Sequence, residues 1–150
     1  MLKNDLEASL KVAMKSGDTT RRDILRVVLT TIKLAEVDKG TAIDDAVVIS
    51  ILQKEVKTHK ESIEDAKMAN RPDLEAHFSA ELMVLQEYLP EQMSEDALRA
   101  IINNAIIESG ASSPTDMGKI MKLVLPKVEG KAPNSEVSRL VRELLVEIST

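Results

Sequence analysis

Apolar residues recur along this chain at spacings of three and four, which is the period of an amphipathic α-helix. No run alternates between apolar and polar residues as a half-buried strand would. In the first part of the chain the pattern predicts four helices, over residues 2–16, 19–37, 44–69 and 72–89. Gly17 and Gly40 suit the left-handed position that ends a helix. Thr41 and Asp44 resemble a capping box at the start of the third helix.

The second part of the chain shows three further helical stripes. Ser94 has the side chain of an N-cap, with acids behind it, and the helix that follows ends at Gly110. Ser113 and Pro114 suit the cap and the first position of the next helix. The last stripe runs close to the end of the chain.

Prolines mark breaks between these stripes. The residue before a proline avoids the helical conformation, so we expect one helix to end at Pro126 and the final helix, capped by Asn134, to follow a loop. Leu89-Pro90-Glu91-Gln92 also interrupts the pattern, and we place a domain boundary there, between residues 1–90 and 91–150. The sequence therefore predicts an all-α fold, with a four-helix N-terminal part followed by a smaller three-helix tail domain.

Composition and charge limit the possible functions. Apolar residues make up 43% of the chain but aromatic residues only 1%, which favours an aliphatic, helical core. The net charge of −5 gives no general attraction to nucleic acid, so RNA would need a local basic patch and DNA binding is not expected. The absence of cysteine excludes thiolate zinc sites. Without a membrane-spanning stretch or a signal-peptide core, we predict a cytoplasmic protein that does not contact membranes.

The sequence offers no self-contained active site. There is no glycine-rich phosphate loop, and the two histidines, His59 and His77, lie on or beside apolar stripes, as satisfied histidines at a core boundary do. Glu55 and His59 stand four residues apart but supply only half of a metal site. Ser112-Ser113 fits helix capping, because no general base lies nearby. We therefore predict no catalytic residue, no metal and no cofactor.

Residues 117–131 form a local reversal of sign in an acidic chain. Four lysines occur there against a single acid, Glu129. The lysines are Lys119, Lys122, Lys127 and Lys131. Lys119 and Lys122 are three residues apart and so are neighbours on a helix, and Gly130 lets the following loop approach a partner closely. The cluster suits a phosphate backbone or an acidic protein surface, and ordinary surface lysines are the alternative.

A second basic face is predicted on the second helix. It consists of Arg22, Arg26 and Lys33, which share one side of the helix. It is either an auxiliary face that contacts phosphates or an ordinary solvated face.

Several motifs, separated along the chain, are similar to those of a known family. They are Gln53-Lys-Glu-Val-Lys57, Glu61-Ser-Ile63, Glu87-Tyr-Leu-Pro-Glu-Gln92, Gly110-Ala-Ser-Ser113, Asp116-Met-Gly-Lys-Ile-Met121 and Leu125-Pro-Lys-Val-Glu-Gly-Lys-Ala132. Together with the stretch from Val137 to Leu145, they resemble the GatB/YqeY family and in particular its stand-alone YqeY-like proteins. The resemblance runs from about Leu2 to Leu145.

The resemblance implies an all-helical fold in two parts and a link to tRNA. In the family, the tail domain is appended to the B subunit of the glutamine-dependent aminoacyl-tRNA amidotransferase, where it helps to hold the tRNA body. Such proteins therefore carry the label of carbon–nitrogen ligases with glutamine as nitrogen donor. The chain has neither the part of the B subunit that uses ATP and magnesium nor the serine–serine–lysine site of the amidase subunit.

Three hypotheses follow for the function. The first is a tRNA-interacting accessory protein that uses the four lysines of the tail. The second is a protein–protein adaptor that docks on an amidotransferase or an aminoacyl-tRNA synthetase. The third is an enzyme that acts alone, for which the sequence shows neither a nucleophile nor a nucleotide site.

Overall fold

The computed structural model describes every residue from Met1 to Thr150 and contains seven α-helices and one short 3-10 helix. The α-helices are α1 (Leu2–Ser16), α2 (Thr19–Lys39), α3 (Asp45–Met68), α4 (Pro72–Glu87), α5 (Glu95–Ser109), α6 (Met117–Val128) and α7 (Asn134–Ser149). The 3-10 helix, Pro114–Asp116, leads directly into α6. There is no strand, so the all-α prediction is confirmed. No helix is both long and apolar enough to cross a lipid bilayer.

The chain divides into two compact units, with the division falling in sequence between Leu89 and Pro90. The first unit contains α1 to α4, and the second contains α5 to α7 with the 3-10 helix. Buried aliphatic side chains form one cluster in each unit. Each unit therefore has its own hydrophobic core.

All four helices contribute to the core of the first unit. Its buried side chains are Leu6, Ile24, Leu25, Val28, Ile32, Ile43, Val48, Leu52, Val56, Val84 and Leu85. The main pairings are α3 with α4 and α1 with α2. Leu25, Leu52 and Leu85 are completely buried, and each such side chain contributes about 1.5–3 kcal/mol by leaving water.

The core of the second unit is also aliphatic. Its buried side chains are Leu98, Ile102, Ala105, Ile106, Ala111, Ile120, Val124, Val128, Ala132, Val137, Leu140, Val141, Leu144 and Leu145. α6 packs against both α5 and α7. Three helices thus enclose one core, and each helix keeps one face exposed to solvent.

Several predicted helix ends are confirmed. Gly17, Gly40 and Gly110 follow α1, α2 and α5 in the left-handed conformation. Ser94 caps α5, since its side chain accepts a hydrogen bond of 3.1 Å from the Ala97 N–H. These ends depend on a few adjacent residues, which is why the sequence alone indicates them.

The predicted cap of α3 is wrong, although the predicted bounds of the helix are close. The helix begins at Asp45 because Asp44, and not Thr41, provides the cap. The carboxylate of Asp44 accepts a hydrogen bond of 3.1 Å from the Val47 N–H. Aspartate and threonine are both good caps, so the sequence alone did not show which of Thr41 and Asp44 caps the helix.

Two predicted boundaries around the last loop are also wrong. α6 continues through Pro126 to Val128. A proline has no N–H to donate and crowds the carbonyl one turn earlier, but only the last turn is affected, and Val124 and Val128 are buried and keep that turn packed on the core. Asn134 does not cap α7; it is the first helical residue, and Pro133 precedes it.

One polar pair lies inside the first unit, where α3 packs on α4. His59 is 6% exposed, and its Nε2 lies 3.0 Å from Oε1 of the buried Glu81. Its Nδ1 lies 3.0 Å from the carbonyl oxygen of Glu55, and the ring of Phe78 packs edge-on against the imidazole. His59 is therefore a satisfied core histidine, as predicted. His77 is exposed and lies 3.6 Å from the same carboxylate oxygen.

The contacts of His59 determine where a proton must lie. A carbonyl oxygen only accepts, so Nδ1 carries a hydrogen and donates it to Glu55. Without a proton between them, Nε2 and a carboxylate oxygen 3.0 Å away would repel each other. The side chains of His59 and Glu81 therefore join α3 to α4 through a buried hydrogen bond.

We predict that Glu81→Leu destabilises the first unit. The substitution leaves Nε2 of a buried histidine without a partner, which costs about 1–3 kcal/mol, and more if the imidazolium is left unpaired. Urea unfolding at pH 7 measures the loss. Glu81→Gln is the control, because its amide can still hydrogen bond to Nε2 and the loss is smaller. Equal stability of Glu81→Leu and the parent protein would contradict the assignment.

Candidate nucleic-acid interface

The entry to α6 is fixed by a short polar turn. Pro114 opens the 3-10 helix, and Asp116 follows in its last position. The carboxylate of Asp116 accepts hydrogen bonds from the backbone N–H groups of Ser112, at 2.9 Å, and Ser113, at 3.4 Å. These bonds, chiefly that from Ser112, lower the pKa of Asp116 below its ordinary value of 3.8. The turn therefore sets the direction in which α6 begins.

Core packing fixes the rotation of α6. Ile120, Val124 and Val128 recur at spacings of four and are buried in the second unit. Lys119 and Lys122 are exposed on the other side of the helix. Three residues apart on a helix, their side chains are neighbours, so the structure brings these two predicted residues together.

Lys127 lies elsewhere on the helix. Because α6 continues past Pro126 to Val128, Lys127 stands in the last turn of the helix and not in the loop that follows it. It follows Lys122 by five residues, which turns it about 140° around the helix axis. A lysine at this end also interacts favourably with the negative end of the helix dipole.

The loop after α6 is tied to the first residues of the second unit. Gly130 adopts the left-handed conformation, with φ of 75°, and its carbonyl oxygen accepts a hydrogen bond of 2.8 Å from the Gln92 side chain. The carbonyl oxygen of Lys131 accepts another, also of 2.8 Å, from the Met93 N–H. The backbone of Lys131 is thus held in place while its side chain remains exposed.

An open groove of about 790 Å³ lies between the end of α5 and the start of α6. Its lining residues are Glu108, Ser109, Gly118, Lys119, Lys122 and Leu123. Lys119 Nζ donates a hydrogen bond of 3.0 Å to the Ser109 carbonyl oxygen, a group that the end of a helix leaves unpaired. Lys119 therefore has a local structural role, whereas Lys122 has no such bond. Glu108 is the one acid in the lining.

Two of the three arginines of the second unit, Arg99 and Arg139, are paired with acids, whereas Arg142 and the four lysines form no ion pair. Arg99 lies 3.1 Å from Glu95, and Arg139 lies 3.0 Å from Glu143 and 3.5 Å from Glu95. Arg99, and to a smaller extent Arg139, lowers the pKa of Glu95. Glu95 and Glu143 are thus paired with arginines, whereas none of the four lysines forms an ion pair. The charge of Lys119 still makes a small contribution to the lowered pKa of Asp116.

The predicted auxiliary residues belong to the first unit. Arg22, Arg26 and Lys33 lie on one face of α2, as the spacing indicated. Arg22 is half-buried and pairs with Asp23 at 2.9 Å, while Arg26 and Lys33 are exposed and form no ion pair. Only two of the three are therefore available to a partner.

Contacts that a side chain makes with a different helix have no signal in the sequence, and those of Arg21 and Lys119 are examples. Arg21 hydrogen bonds to Glu87 at 2.7 Å and to the hydroxyl of Tyr88 at 2.8 Å, which fastens the start of α2 to the end of α4. The bond from Lys119 to Ser109 is the second example. Neither pair has a sequence spacing that indicates contact, because the two partners lie on different helices.

Comparison with known proteins supports one family. The family model described as "Yqey-like protein" matches residues 3–145. The "Altered inheritance of mitochondria protein 41, mitochondrial" of Pyrenophora tritici-repentis is 30% identical over 145 residues, which cover 93% of this chain and 78% of the relative. The protein of the same name from Lachancea thermotolerans is 30% identical over 135 residues, covering 88% of this chain and 71% of the relative.

We predict that Asp116→Asn destabilises the second unit at pH 7 but not in acid. Since the folded-state pKa of Asp116 is lowered, its ionised form contributes stability above the ordinary value of 3.8, and this contribution is lost as the pH falls through the folded-state value. Urea unfolding of variant and parent protein at pH 7 and at about pH 2 measures the difference. A difference of the same size at both pH values would contradict the assigned role of the carboxylate.

Proposed function

Because the chain belongs to the Yqey-like protein family, whose model matches residues 3–145, we propose that it is an RNA-binding accessory protein whose second unit holds tRNA. The contacts come from Lys119, Lys122, Lys127 and Lys131. The observation that carries the proposal is that these four exposed lysines, which lie close together in the sequence, form no ion pair, whereas Arg99 and Arg139 of the same unit are paired with acids.

The chemistry of the lysines suits phosphate contact and not base recognition. Each ammonium is a compact point charge on a flexible stem, and all four side chains are exposed. Such groups position a nucleic-acid backbone without reading its sequence. We therefore expect similar affinity for different tRNA sequences of the same fold.

The chain's net charge of −5 makes the interface local. Acids elsewhere in the chain repel RNA, so binding depends on the basic cluster. The cluster therefore also sets the orientation of the bound RNA. With about four phosphates neutralised, binding is moderate and falls steeply as salt is added. The groove beside Lys119 and Lys122 gives room for part of a nucleotide next to two of the charges.

The role proposed here is binding. The carbon–nitrogen ligase label belongs to an assembled amidotransferase, and glutamine-dependent chemistry is not proposed for this chain alone. The two similar fungal proteins are mitochondrial by name. The cytoplasm is our proposed location for this chain.

We predict that replacing all four lysines by alanine abolishes tRNA binding at low salt. In the parent protein the logarithm of the association constant falls with the logarithm of salt concentration, with a slope of about −3 to −4, and each lysine lost reduces the slope by about one. Gel shifts with total tRNA at several salt concentrations measure both quantities.

Two control variants make this test specific. Alanine at Lys11, Lys54, Lys57 and Lys60, which are exposed and unpaired residues of the first unit, changes the net charge equally. Alanine at Lys122, Lys127 and Lys131 alone leaves the Lys119–Ser109 bond intact. Unchanged affinity in the tail variants, or an equal loss in the first-unit control, would exclude the proposed site.

We also predict that Gly118→Leu weakens tRNA binding severalfold without changing its salt slope. A Cβ atom at Gly118 would meet nothing within 4 Å, so the larger side chain is accommodated by occupying the groove. Gly118→Ala is the control, with stability unchanged or raised by about 0.5 kcal/mol. Equal affinity of the leucine variant and the parent protein would place the RNA outside the groove.

A further inference from the structure

α2 carries apolar residues on two opposite faces. Its inner face lies in the core of the first unit through Ile24, Leu25, Val28 and Ile32. Its outer face carries Val27, Leu34 and Val37, which are 47%, 61% and 70% exposed. Single exposed apolar residues are ordinary, but three large ones along one side of a helix form a continuous stripe.

The spacing of this outer stripe is that of a coiled-coil seam. Val27, Thr30, Leu34 and Val37 follow one another at intervals of three, four and three residues, which is the a and d pattern of a heptad. All four are exposed. We call these residues the α2 seam; it is about 15 Å long at 1.5 Å per residue.

Basic residues flank the α2 seam on one side. Arg26 and Lys33 immediately precede the two a positions and so occupy g positions, where charged residues choose the partner helix. Both are exposed and neither forms an ion pair. On the other flank the hydroxyl of Thr31 bonds to the Val27 carbonyl at 3.1 Å within the helix itself. The same flank carries the exposed Asp38 at an e position, also without an ion pair, so the unpaired charge beside the seam is two cations against one acid.

We propose that the α2 seam is a docking surface for an amphipathic helix of another protein that carries acidic residues beside its apolar stripe. An acidic flank on the partner would pair with both Arg26 and Lys33, while its apolar residues would cover the seam. This surface is separate from the lysines of the second unit, so the two proposals can fail independently.

A second copy of α2 fits less well. In an antiparallel pair, g positions face each other, which places Arg26 and Lys33 of one copy against the same residues of the other. In a parallel pair, Lys33 would meet Asp38, but Arg26 would meet Thr31. An acidic helix pairs both cations, so it is the better complement.

RNA also fits less well at this face. The phosphates of RNA could pair with Arg26 and Lys33. They would, however, lie against the apolar residues of the seam, and contact with charged groups does not provide the free energy that apolar burial would. The third residue of the predicted auxiliary face, Arg22, is already paired with Asp23. A seam of this length buries less than a standard interface of about 1,200–2,000 Å², so docking is weak and exchanges rapidly.

The test uses the full chain labelled with 15N and a synthetic peptide of three heptads, with leucine at a and d and glutamate at e and g. We expect the amide signals of residues 26–37 to shift during titration. Arg26→Glu combined with Lys33→Glu should weaken binding at least about tenfold. A peptide with lysine in place of glutamate should restore binding to that variant, which a purely structural defect would not allow.

Leu34→Ala tests the apolar part of the seam and should also weaken peptide binding. Met68→Ala is its control, because Met68 is an exposed apolar residue on another helix. Absence of shifts in residues 26–37 would overturn the proposal. The proposal would also be overturned if the protein dimerised with rising concentration and Leu34→Ala abolished the dimer, because the seam would then bind a second copy of the chain. Loss of tRNA affinity in the charge-reversed variant, without peptide binding by the parent protein, would assign the face to RNA.

Discussion

Burial of aliphatic side chains on one face of each helix is the constraint on which the rest of this structure depends. With Phe78 and Tyr88 as the only phenylalanine and tyrosine and no tryptophan, neither core can be built around aromatic rings. Leucine, isoleucine and valine at helical spacing must fill both cores, and their positions fix the rotation of every helix. In α6 this burial turns Lys119 and Lys122 toward solvent, so the position of the basic cluster is a consequence of how the second unit packs.

The distribution of charge then decides which exposed residues remain available. In the second unit, Arg99 and Arg139 pair with Glu95 and Glu143, while the lysines of α6 form no ion pair. In the first unit, Arg21 is held by Glu87 and Tyr88, whereas Arg26 on the same helix has no partner. Three of the seven arginines, Arg21, Arg99 and Arg139, pair with acids of a neighbouring helix.

Periodicity was enough to predict the helices, and local chemistry was enough for ends such as Ser94 and Gly110, because each depends on a few neighbouring residues. The helix end predicted at Pro126 was wrong because packing on the core, which local sequence does not reveal, holds the last turn of α6. The number of lysines in residues 117–131 revealed the cluster. That Lys119 and Lys122 share one face of α6 while Lys127 lies on another depends on where the helix ends, which the sequence did not predict. Contacts between helices, such as Arg21 with Glu87, have no signature in sequence spacing.

Lysine footprinting tests the central claim most directly, because it measures every lysine of the intact protein at once. The chain is acetylated briefly with and without an excess of tRNA at low salt, and the modification of each lysine is quantified by mass spectrometry. Protection of Lys119, Lys122, Lys127 and Lys131, with Lys54, Lys57 and Lys60 unaffected, is the predicted result. Uniform protection of all exposed lysines, or none in the second unit, would contradict the claim that this cluster holds the RNA.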